Sequence, residues 1–437
     1  MEEPKITVGI MSEDEITFVF NGEFILEEDD SEKLTGKHKA KIHDGVISFK
    51  GKQFSKLSFI PQTENCDFEL IGVTIGKSFH WEQKENLKFR GDLIIITENN
   101  KLTAINRVAV EEHLASVISS EMSATSAIEL LKAHAIISRS WVLAQINKEN
   151  KSTKDSCALD SETEHIKWYD KEDHINFDVC ADDHCQRYQG ITRESTDTVK
   201  EALRKTRGEV LKHEGQICDA RFSKSCGGVS ETFENCWEET PHPYLKKVID
   251  NRDELDINAK DLTVEKNARL WILSNPESFC NTTDDKILSQ VLVSYDQKTK
   301  DFFRWKVEFN TSELSKLLKK KTGIDFGDIQ DLIAIERGQS GRIIKLKIAG
   351  SKKTLIIGKE LEIRKALSES HLYSSAFIVE KEMDKEGRPI KFVLTGAGWG
   401  HGVGLCQIGA AVMASKGYNY QEILKHYYNN ATIEKEY

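Results

Sequence analysis

The pattern of apolar and polar residues is most informative between Val108 and Asn147, where two helical segments are separated by a short break. Glu121 lies at that break. The second segment begins with Ser126 and carries Glu129 three residues later, which is the pattern of a capping box at a helix N-terminus. Beyond this start, apolar residues occupy most positions as far as Ala144. A helix that is apolar nearly all round is typically buried.

The polar residues of this second helix therefore carry most of its information. They are Lys132, His134, Ser138, Arg139 and Gln145. Lys132 and Arg139 are two helical turns apart, so they share one face of the helix. A carboxylate at the helix break, together with two cations on a buried helix, indicates either a structural ion-pair network or an active site. The pattern alone favours the structural network.

The rest of the chain shows mainly strand patterns. Short β-branched runs bounded by turn residues dominate residues 1–105 and predict a β-rich module. Farther along, polar helices such as 312–321 alternate with strands, and residues 342–357 have the pattern of a β-hairpin. Together these patterns predict an α+β protein.

The composition changes near residue 391, and five of the ten residues Thr395–Gly404 are glycine. Such a glycine density permits positive φ angles and a close approach of the backbone to a ligand. A phosphate-binding loop is disfavoured because no Gly-Lys-Ser/Thr sequence follows. His401, in the middle of this segment, is either a ligand-contacting residue or a histidine in a turn, and the pattern leaves both open.

Composition and charge limit the classes of protein to which the chain can belong. Of the 437 residues, 39% are hydrophobic and 30% are charged, which is typical of a globular chain rather than a disordered one. The net charge of −10 and the pI near 5.8 argue against a nucleic-acid backbone as the partner. No stretch is apolar enough to predict a membrane span, and no signal peptide is visible.

The nine cysteines are an odd number spread over a long chain, so they do not indicate a small disulfide-rich domain. Four metal-type ligands occur within twelve residues, namely His174, Cys180, His184 and Cys185. Such a set can enclose one tetrahedral Zn²⁺, and because all four ligands come from the protein, the metal would be structural. The alternatives are a disulfide between Cys180 and Cys185 or an acidic loop without a metal.

Cys226 is a further candidate because it lies in the Ser- and Gly-rich turn Phe222–Gly228. A thiol in such a turn could act as a nucleophile with the distant His401 as its base. No residue at local spacing supports this chemistry, so the pattern favours a small buried thiol.

Several motifs, taken in order, are similar to those of the sporulation stage II protein D (SpoIID) family, which includes amidase-enhancer proteins of bacterial cell walls. The family's Ser-Glu-Met sequence, its Glu-x-Leu-Lys-Ala sequence and its arginine correspond to Ser120–Met122, Glu129–Ala133 and Arg139. The most specific resemblance is the closing sequence Gly398–Ala410. Further landmarks are Lys88–Ile95, Ile105–Leu114, Phe222–Gly228, Pro243–Leu245, Ser340–Arg342 and Ser374–Phe377. The resemblance covers most of the chain.

This resemblance implies a peptidoglycan lytic transglycosylase, which cleaves the MurNAc–GlcNAc bond without water and leaves a 1,6-anhydro end. It assigns the catalytic acid/base to Glu121, flanked by the apolar Ile118, Met122 and Ile128. A single carboxylate suffices, because the second carboxylate of other glycosidases acts as a nucleophile or activates water. The resemblance assigns substrate contacts to Lys132, Arg139, Ser223, Ser225, His401 and Gln407. For Lys132 and Arg139 the alternative is that they brace the fold.

The resemblance also completes the predicted organisation. An N-terminal β-rich module (1–105) precedes a helical catalytic core with a groove and the Cys/His cluster (106–195). An inserted β-rich module (196–390) and a C-terminal segment (391–437) follow. We expect the glycine-rich loop of that last segment to return to the core and close the cleft opposite Glu121. The resemblance supports a structural zinc ion, and catalysis itself requires no cofactor.

The chain departs from the family at several positions near Glu121. Ser123 stands where a proline is common, His134 where a glutamine is usual, and Ser140-Trp141 where Thr-Tyr is usual. These departures leave open a second function, that of a non-catalytic glycan-binding protein that enhances a cell-wall amidase. The expected partners are peptidoglycan strands and, for the second function, an amidase. The resemblance favours a location in the cell envelope, and the cytoplasm remains an alternative.

Overall fold

Helices and sheets are both abundant in the structure, a computed structural model of the chain, as the α+β prediction requires. The structure describes residues 2–27, 29–76, 82–123, 126–147, 158–167, 174–182, 185–192, 195–252, 261–292 and 299–437. The chain divides into two compact units. Unit 1 comprises Met1–Lys151, His174–Val210 and Ile433–Tyr437, and unit 2 comprises Ser152–Asp173 and Leu211–Thr432.

The elements follow one another in long blocks of strands and shorter blocks of helices. The strands are β1 (Lys5–Glu13), β2 (Glu15–Leu26), β3 (Asp29–His43), β4 (Val46–Phe49), β5 (Lys52–Phe54), β6 (Lys56–Pro61), β7 (Asp67–Ile75), β8 (Gln83–Phe89), β9 (Asp92–Glu98), β10 (Lys101–Ala109), β11 (Ala158–Asp160), β12 (Glu164–Lys167), β13 (Val179–Cys180), β14 (Glu209–His213), β15 (Gln216–Ile217), β16 (Phe222–Ser223), β17 (Arg304–Asn310), β18 (Ile329–Arg337), β19 (Ile343–Gly350), β20 (Thr354–Gly358), β21 (Phe377–Met383), β22 (Pro389–Ala397), β23 (Leu405–Cys406) and β24 (Thr432–Lys435). The α-helices are α1 (Val110–Glu121), α2 (Ile128–Ile146), α3 (Asp197–Lys205), α4 (Glu265–Leu273), α5 (Asp285–Val291), α6 (Thr311–Thr322), α7 (Glu360–Ala366), α8 (Gln407–Ser415) and α9 (Tyr420–Tyr427). Among the described residues, none of these helices has the length and apolar character needed to cross a membrane.

Unit 1 is built on one large sheet in which strands β1 to β10 pair mainly with antiparallel neighbours, and β13 pairs parallel with β1. Burial alternates along β2, where Ile16, Phe18 and Phe20 point into the core. The rings of Phe20 and Phe24 stack with their centroids 4.2 Å apart, and Phe59 packs against Phe20 at 5.2 Å. Aromatic packing of this kind stabilises the inner face of a sheet beyond the area that it buries.

Helix α1 follows β10 directly, and α2 is buried nearly all round, as its apolar sequence predicts. The N-cap position of α2 is Ala127 rather than the predicted Ser126, whose hydroxyl donates to the carbonyl of Ser123. The guanidinium of Arg139 is fully buried in α2 and donates to both carboxylate oxygens of Glu111 at 2.9 and 2.8 Å. This bidentate pair joins α2 to the first turn of α1.

The Arg139–Glu111 pair also holds two later segments of unit 1. Arg139 Nη1 donates to the carbonyl oxygen of Glu209 at 2.9 Å. The carboxylate of Glu111 accepts the hydroxyl of Tyr437 at 2.7 Å and the N–H of Gly208 at 3.3 Å. Each nitrogen of the guanidinium and both oxygens of the carboxylate therefore have a partner within unit 1, which supports the structural interpretation of Arg139.

Unit 2 contains a sheet in the order β11-β12-β20-β19-β18 and a second one in the order β17-β22-β21. The predicted hairpin is confirmed as β19 and β20, and the predicted polar helix is confirmed as α6. This helix has a capping box between Asn310 and Glu313 and ends at Gly323, which adopts a left-handed conformation. One apolar core, which includes Trp305, Leu346 and Leu394, joins both sheets of unit 2 to α6 and α7.

The two units group the chain differently from the four predicted segments. Residues 391–432 belong to unit 2, and only Ile433–Tyr437 at the end of the predicted returning segment belong to unit 1 with the helices. Backbone pairing explains this grouping, because β22 pairs with β17 and β21, and β23 pairs with β16.

We expect replacement of Arg139 by methionine to destabilise unit 1 strongly. Removal of one partner of a buried ion pair leaves the other charge uncompensated, at a typical cost of about 3–5 kcal/mol. As a control, Lys205→Met breaks the exposed pair with Glu201 in the same unit and should cost less than about 1 kcal/mol. The free energy of unfolding in urea measures both, and equal small effects would contradict a structural role for Arg139.

Candidate functional site

Glu121 is the last residue of α1, so the predicted break between the two helices at this residue is confirmed. Its side chain is half-buried, and the neighbouring Ile118 and Met122 are buried. The N–H of Arg187 donates to Glu121 Oε1 at 3.3 Å. Residues 124–125 of the break lie outside the described part of the chain. The Glu121 side chain therefore has buried apolar neighbours and remains partly accessible.

The two cations that the sequence associates with Glu121 are paired with other carboxylates. Lys132 Nζ lies 2.5 Å from Glu129 Oε1, one turn away on α2. Arg139 is bound to Glu111 and has no exposed surface. Among the described residues, no cation forms an ion pair with Glu121. The geometry thus favours the bracing role for Arg139, while a substrate contact by Lys132 stays a prediction.

The predicted Cys/His cluster is partly described, and three of its members lie together in unit 1. The ligand atoms of His174, Cys180 and Cys185 are all within 4.8 Å of one another, and His174 Nε2 is 3.5 Å from Cys185 Sγ. Ligands of one tetrahedral zinc ion lie about 3.6 Å apart for a nitrogen–sulfur pair. These three residues therefore fit a metal ion. The predicted fourth ligand, His184, is outside the described residues.

The Cys/His cluster is connected to the sheet of unit 1 through β13, and to Glu121 through the segment that follows Cys185. Cys180 lies in β13, which pairs with β1 through Gly9. The ring of Phe177 packs so closely on Gly9 that an added Cβ there would lie 2.5 Å from it. From Cys185 the chain continues directly to Arg187, whose N–H contacts the carboxylate of Glu121. An ion at this cluster would therefore fix the segment that positions the candidate acid/base.

Two motifs that are far apart in the sequence come together in unit 2. Phe222 and Ser223 of β16 pair in parallel with Leu405 and Cys406 of β23. The turn and the glycine-rich segment are further joined by two backbone hydrogen bonds between Ser225 and Trp399, of 3.0 and 2.7 Å. The Ser/Gly turn and the glycine-rich segment therefore form one structure.

The glycine-rich segment wraps a buried arginine, Arg342, which the sequence indicated only as part of the family landmark Ser340–Arg342 and without a role. Its guanidinium donates to the carbonyl of Gly400 at 3.2 and 3.3 Å, to that of Cys226 at 3.3 Å and to the hydroxyl of Ser340 at 3.0 Å. Gly402 has a φ of 78°, and a Cβ there would lie 2.3 Å from the guanidinium carbon. The sequence predicted a close approach of the glycine-rich backbone to a ligand. At Gly402 the backbone approaches the side chain of Arg342, which belongs to the same unit.

The four candidate substrate residues of unit 2 differ in accessibility. Ser223, Ser225 and Gln407 are 6%, 0% and 2% exposed, and His401 is half-buried. Ser225 is the most enclosed of them, and its hydroxyl accepts the N–H of Gly227 at 3.4 Å. Of the four, His401 is the one that is not fully buried. The substrate contacts of all four residues stay predictions.

His401 is held as a neutral imidazole. Burial, with the nearby cation Arg221 as the next cause, keeps the pKa of His401 well below its usual range. Its Nδ1 accepts the N–H of Val403 at 3.0 Å, so Nε2 carries the proton, and the ring also has a hydrogen bond with the backbone of Phe222. The ring packs edge-on against Trp237, with centroids 4.7 Å apart.

The structure does not support Cys226 as a nucleophile. The thiol is only 3% exposed, and its sulfur lies 3.7 Å from that of Cys280. Burial raises the pKa of the Cys226 thiol well above its usual range, which disfavours the reactive thiolate. The sequence pattern, which favoured a small buried thiol, is consistent with this location.

We expect Gly402→Ala to destabilise unit 2 more than Gly387→Ala. Both glycines have similar positive φ angles, 78° and 76°, but a Cβ at Gly387 would meet no atom within 4 Å. Both variants should lose about 1–2 kcal/mol through left-handed strain. The clash with Arg342 should add about 1–3 kcal/mol for Gly402→Ala alone. Thermal or urea unfolding measures the difference, and equal losses would show that the loop can move away from Arg342.

Two family models match the chain. Residues 98–213 match the stage II sporulation protein family, SpoIID, and residues 231–404 match a domain of unknown function, DUF8618. The first match contains Glu121 and the Cys/His cluster. The second contains Arg342 and His401.

Three relatives match over most of this chain at modest identity. An uncharacterized protein of Brachyspira hyodysenteriae is 25% identical over 347 residues, covering 79% of this chain and 72% of the relative. The amidase enhancer of Bacillus subtilis is also 25% identical over 347 residues, covering 73% of this chain but 40% of the enhancer. The stage II sporulation protein D of Bacillus amyloliquefaciens is 23% identical over 332 residues, covering 76% of each chain.

Proposed function

We propose that this chain, whose residues 98–213 match the stage II sporulation protein (SpoIID) family, is a peptidoglycan lytic transglycosylase. The amidase-enhancer and sporulation relatives support a function related to the cell wall. The substrate of the proposed reaction is the glycan strand, and the bond cleaved joins MurNAc to GlcNAc.

In the proposed mechanism, Glu121 carries out both proton transfers. The protonated carboxyl group first gives its proton to the oxygen of the leaving sugar. The 6-hydroxyl of the MurNAc residue then attacks the anomeric carbon, and the carboxylate takes the hydroxyl proton. The product is a 1,6-anhydro ring, and no water enters the reaction. A second carboxylate is unnecessary, because the attacking group belongs to the substrate.

The observation that carries this proposal is that the Glu121 carboxylate, at the end of α1, has no cationic partner among the described residues. Within the described residues, its only hydrogen bond comes from the N–H of Arg187, and no cation neutralises it. By contrast, Glu111 at the start of the same helix is saturated by Arg139 and Tyr437. A half-buried carboxylate that no cation holds in its charged form can exchange a proton with a bound sugar.

We expect Glu121→Gln to reduce glycan cleavage by about 10²–10⁴-fold, because general acid–base catalysis typically contributes that much. The readout is the yield of 1,6-anhydro ends from peptide-stripped glycan strands, determined by mass spectrometry. Glu112→Gln is the matched control, since Glu112 is on the same helix and pairs with the exposed Arg90. The control should retain activity.

Unchanged cleavage by Glu121→Gln would exclude Glu121 as the acid/base. Both variants should unfold near the wild-type temperature, because neither loses a buried ion pair. A folded Glu121→Gln variant without activity therefore reports a loss of chemistry rather than of structure.

The second candidate function is non-catalytic enhancement of a cell-wall amidase, and the Bacillus subtilis relative of that name favours it. This chain covers only 40% of that relative, so most of the enhancer has no matched counterpart here. An enhancer would bind glycan, leave no anhydro ends and stimulate an amidase equally well with glutamine at Glu121. The same glycan digestion therefore separates the two functions.

For the Cys/His cluster we propose a structural Zn²⁺ bound by His174, Cys180, Cys185 and the predicted His184. Two sulfur and two nitrogen ligands suit zinc, and a closed set leaves no position for substrate. The ion would hold the segment from Cys185 to Arg187 and thereby place the N–H that contacts Glu121. Its contribution to catalysis is thus one of positioning.

We expect removal of zinc from this cluster to loosen residues 185–190 before the rest of unit 1. The double variant Cys180→Ser/Cys185→Ser should lose one equivalent of zinc, and the amide of Arg187 should exchange faster with deuterium. Cys66→Ser is a control for a buried cysteine of the same unit outside the cluster. An unchanged zinc content in the double variant would contradict the site.

The remaining assignments are proposed on the family resemblance alone. They are contacts of Lys132, Ser223, Ser225, His401 and Gln407 with the glycan, and the closure of the helical groove by the glycine-rich segment. Glu121 belongs to unit 1, whereas Ser223, Ser225, His401 and Gln407 belong to unit 2. Replacing His401 by glutamine, which keeps a donor near the Nε2 position, provides the mildest test of its contact.

A further inference from the structure

Four ligand-type side chains converge in the interior of unit 2, away from the Cys/His cluster. They are Cys226, Asp250, Cys280 and Cys406, all buried, and their ligand atoms lie within 4.8 Å of one another. They come from four separate segments of the chain, so their meeting is a product of the fold. Cys226 follows β16 and Cys406 lies in β23, while Asp250 and Cys280 lie in loops before α4 and α5.

The spacing of the sulfur atoms suits a single metal ion. Cys226 Sγ and Cys280 Sγ are 3.7 Å apart. Two thiolates on one tetrahedral zinc ion, at about 2.3 Å each, lie about 3.8 Å from each other. The third sulfur, that of Cys406, accepts the N–H of Cys226 at 3.3 Å, which fixes its place in the group.

The carboxylate of Asp250 has no cationic partner among the described residues, although it is only 1% exposed. Tyr427 donates its hydroxyl to Oδ1 at 2.6 Å, and the N–H of Cys280 and the hydroxyl of Ser278 donate to Oδ2 at 2.8 and 3.0 Å. A buried carboxylate without a compensating charge is costly. Each oxygen can still accept at a second lone pair, and such outer hydrogen bonds commonly orient a metal-binding carboxylate.

Neighbouring groups also fit an anionic metal centre. Arg304 interacts electrostatically with Cys226 and Cys280, and its guanidinium donates to backbone carbonyls, among them that of Gly227 at 3.0 Å. Helix α8 approaches closely at Gly409, where a Cβ would lie 2.6 Å from Asp250 Oδ1. Three thiolates and one carboxylate around a divalent ion carry a net negative charge, which a nearby cation partly offsets.

We propose that Cys226, Asp250, Cys280 and Cys406 form a second metal site, which binds one thiophilic divalent ion, preferably Zn²⁺. Three sulfur ligands disfavour Mg²⁺ and Ca²⁺, which prefer oxygen. Four protein ligands leave no open coordination position, so the ion is structural. Binding releases the protons of the three thiols.

The ion would link the Ser/Gly turn of unit 2 to the end of its glycine-rich segment. Cys226 belongs to the Ser/Gly turn, and Cys406 directly follows the glycine-rich segment. The carbonyl of Cys226 is one of the groups that hold Arg342, so the metal and the arginine would fix the same turn from two sides. This inference is independent of the proposed function, because it concerns only the assembly of unit 2.

The test is the zinc content of the full chain, purified under reducing conditions and measured by elemental mass spectrometry. We expect two equivalents in the unmodified protein, one for each cluster. Cys226→Ser/Cys406→Ser should lose one equivalent, and Cys180→Ser/Cys185→Ser should retain one. Cys218→Ser, a buried cysteine of unit 2 outside the cluster, is the matched control and should lose none.

If Cys226→Ser/Cys406→Ser does not fold, the Cys180→Ser/Cys185→Ser chain provides the second measurement. Loaded with Co²⁺, it should show a thiolate-to-cobalt charge-transfer band of an intensity expected for three sulfur ligands. No band and no retained zinc in this folded chain would overturn the proposal.

Discussion

The buried ion pair between Arg139 and Glu111 is the interaction on which unit 1 depends. It joins α2 to the first turn of α1 and also binds the Glu209 carbonyl and the Tyr437 hydroxyl. The pair uses the only fully buried arginine or lysine of α2, and among the described residues no cation pairs with Glu121 at the other end of α1. One carboxylate of this helix therefore stabilises the fold, and the other is the proposed acid/base.

The glycine-rich segment shows that one sequence pattern is consistent with two structures, a backbone close to a ligand and a backbone close to another side chain. Glycine at alternate positions indicates a close approach of the backbone to some group, but it does not identify the group. In unit 2, Gly402 and Gly400 approach the guanidinium of Arg342, which lies about sixty residues earlier in the sequence. The pattern correctly predicts the backbone geometry, whereas the assignment of a ligand required knowledge of what lies inside the loop.

Local patterns predicted much of the fold and part of the site. The break at Glu121, the burial of α2, helix α6 and the hairpin all depend on neighbouring residues, and the structure confirms them. The Cys/His cluster was visible because its members lie within twelve residues. Long-range partners were not predictable. Glu111 is 28 residues from Arg139, and Cys226 is 180 residues from Cys406, so no spacing in the sequence connects them.

The two cysteine clusters suggest a common principle of construction in the two units. Each lies next to a short parallel strand pair, β1 with β13 in unit 1 and β16 with β23 in unit 2. A pair of two residues contributes few backbone hydrogen bonds, so it cannot by itself fix a loop against the entropy of the chain. A metal ion that binds the same segments would supply that constraint. In unit 1 the constrained segment reaches the proposed acid/base, and in unit 2 it reaches the turn that holds Arg342.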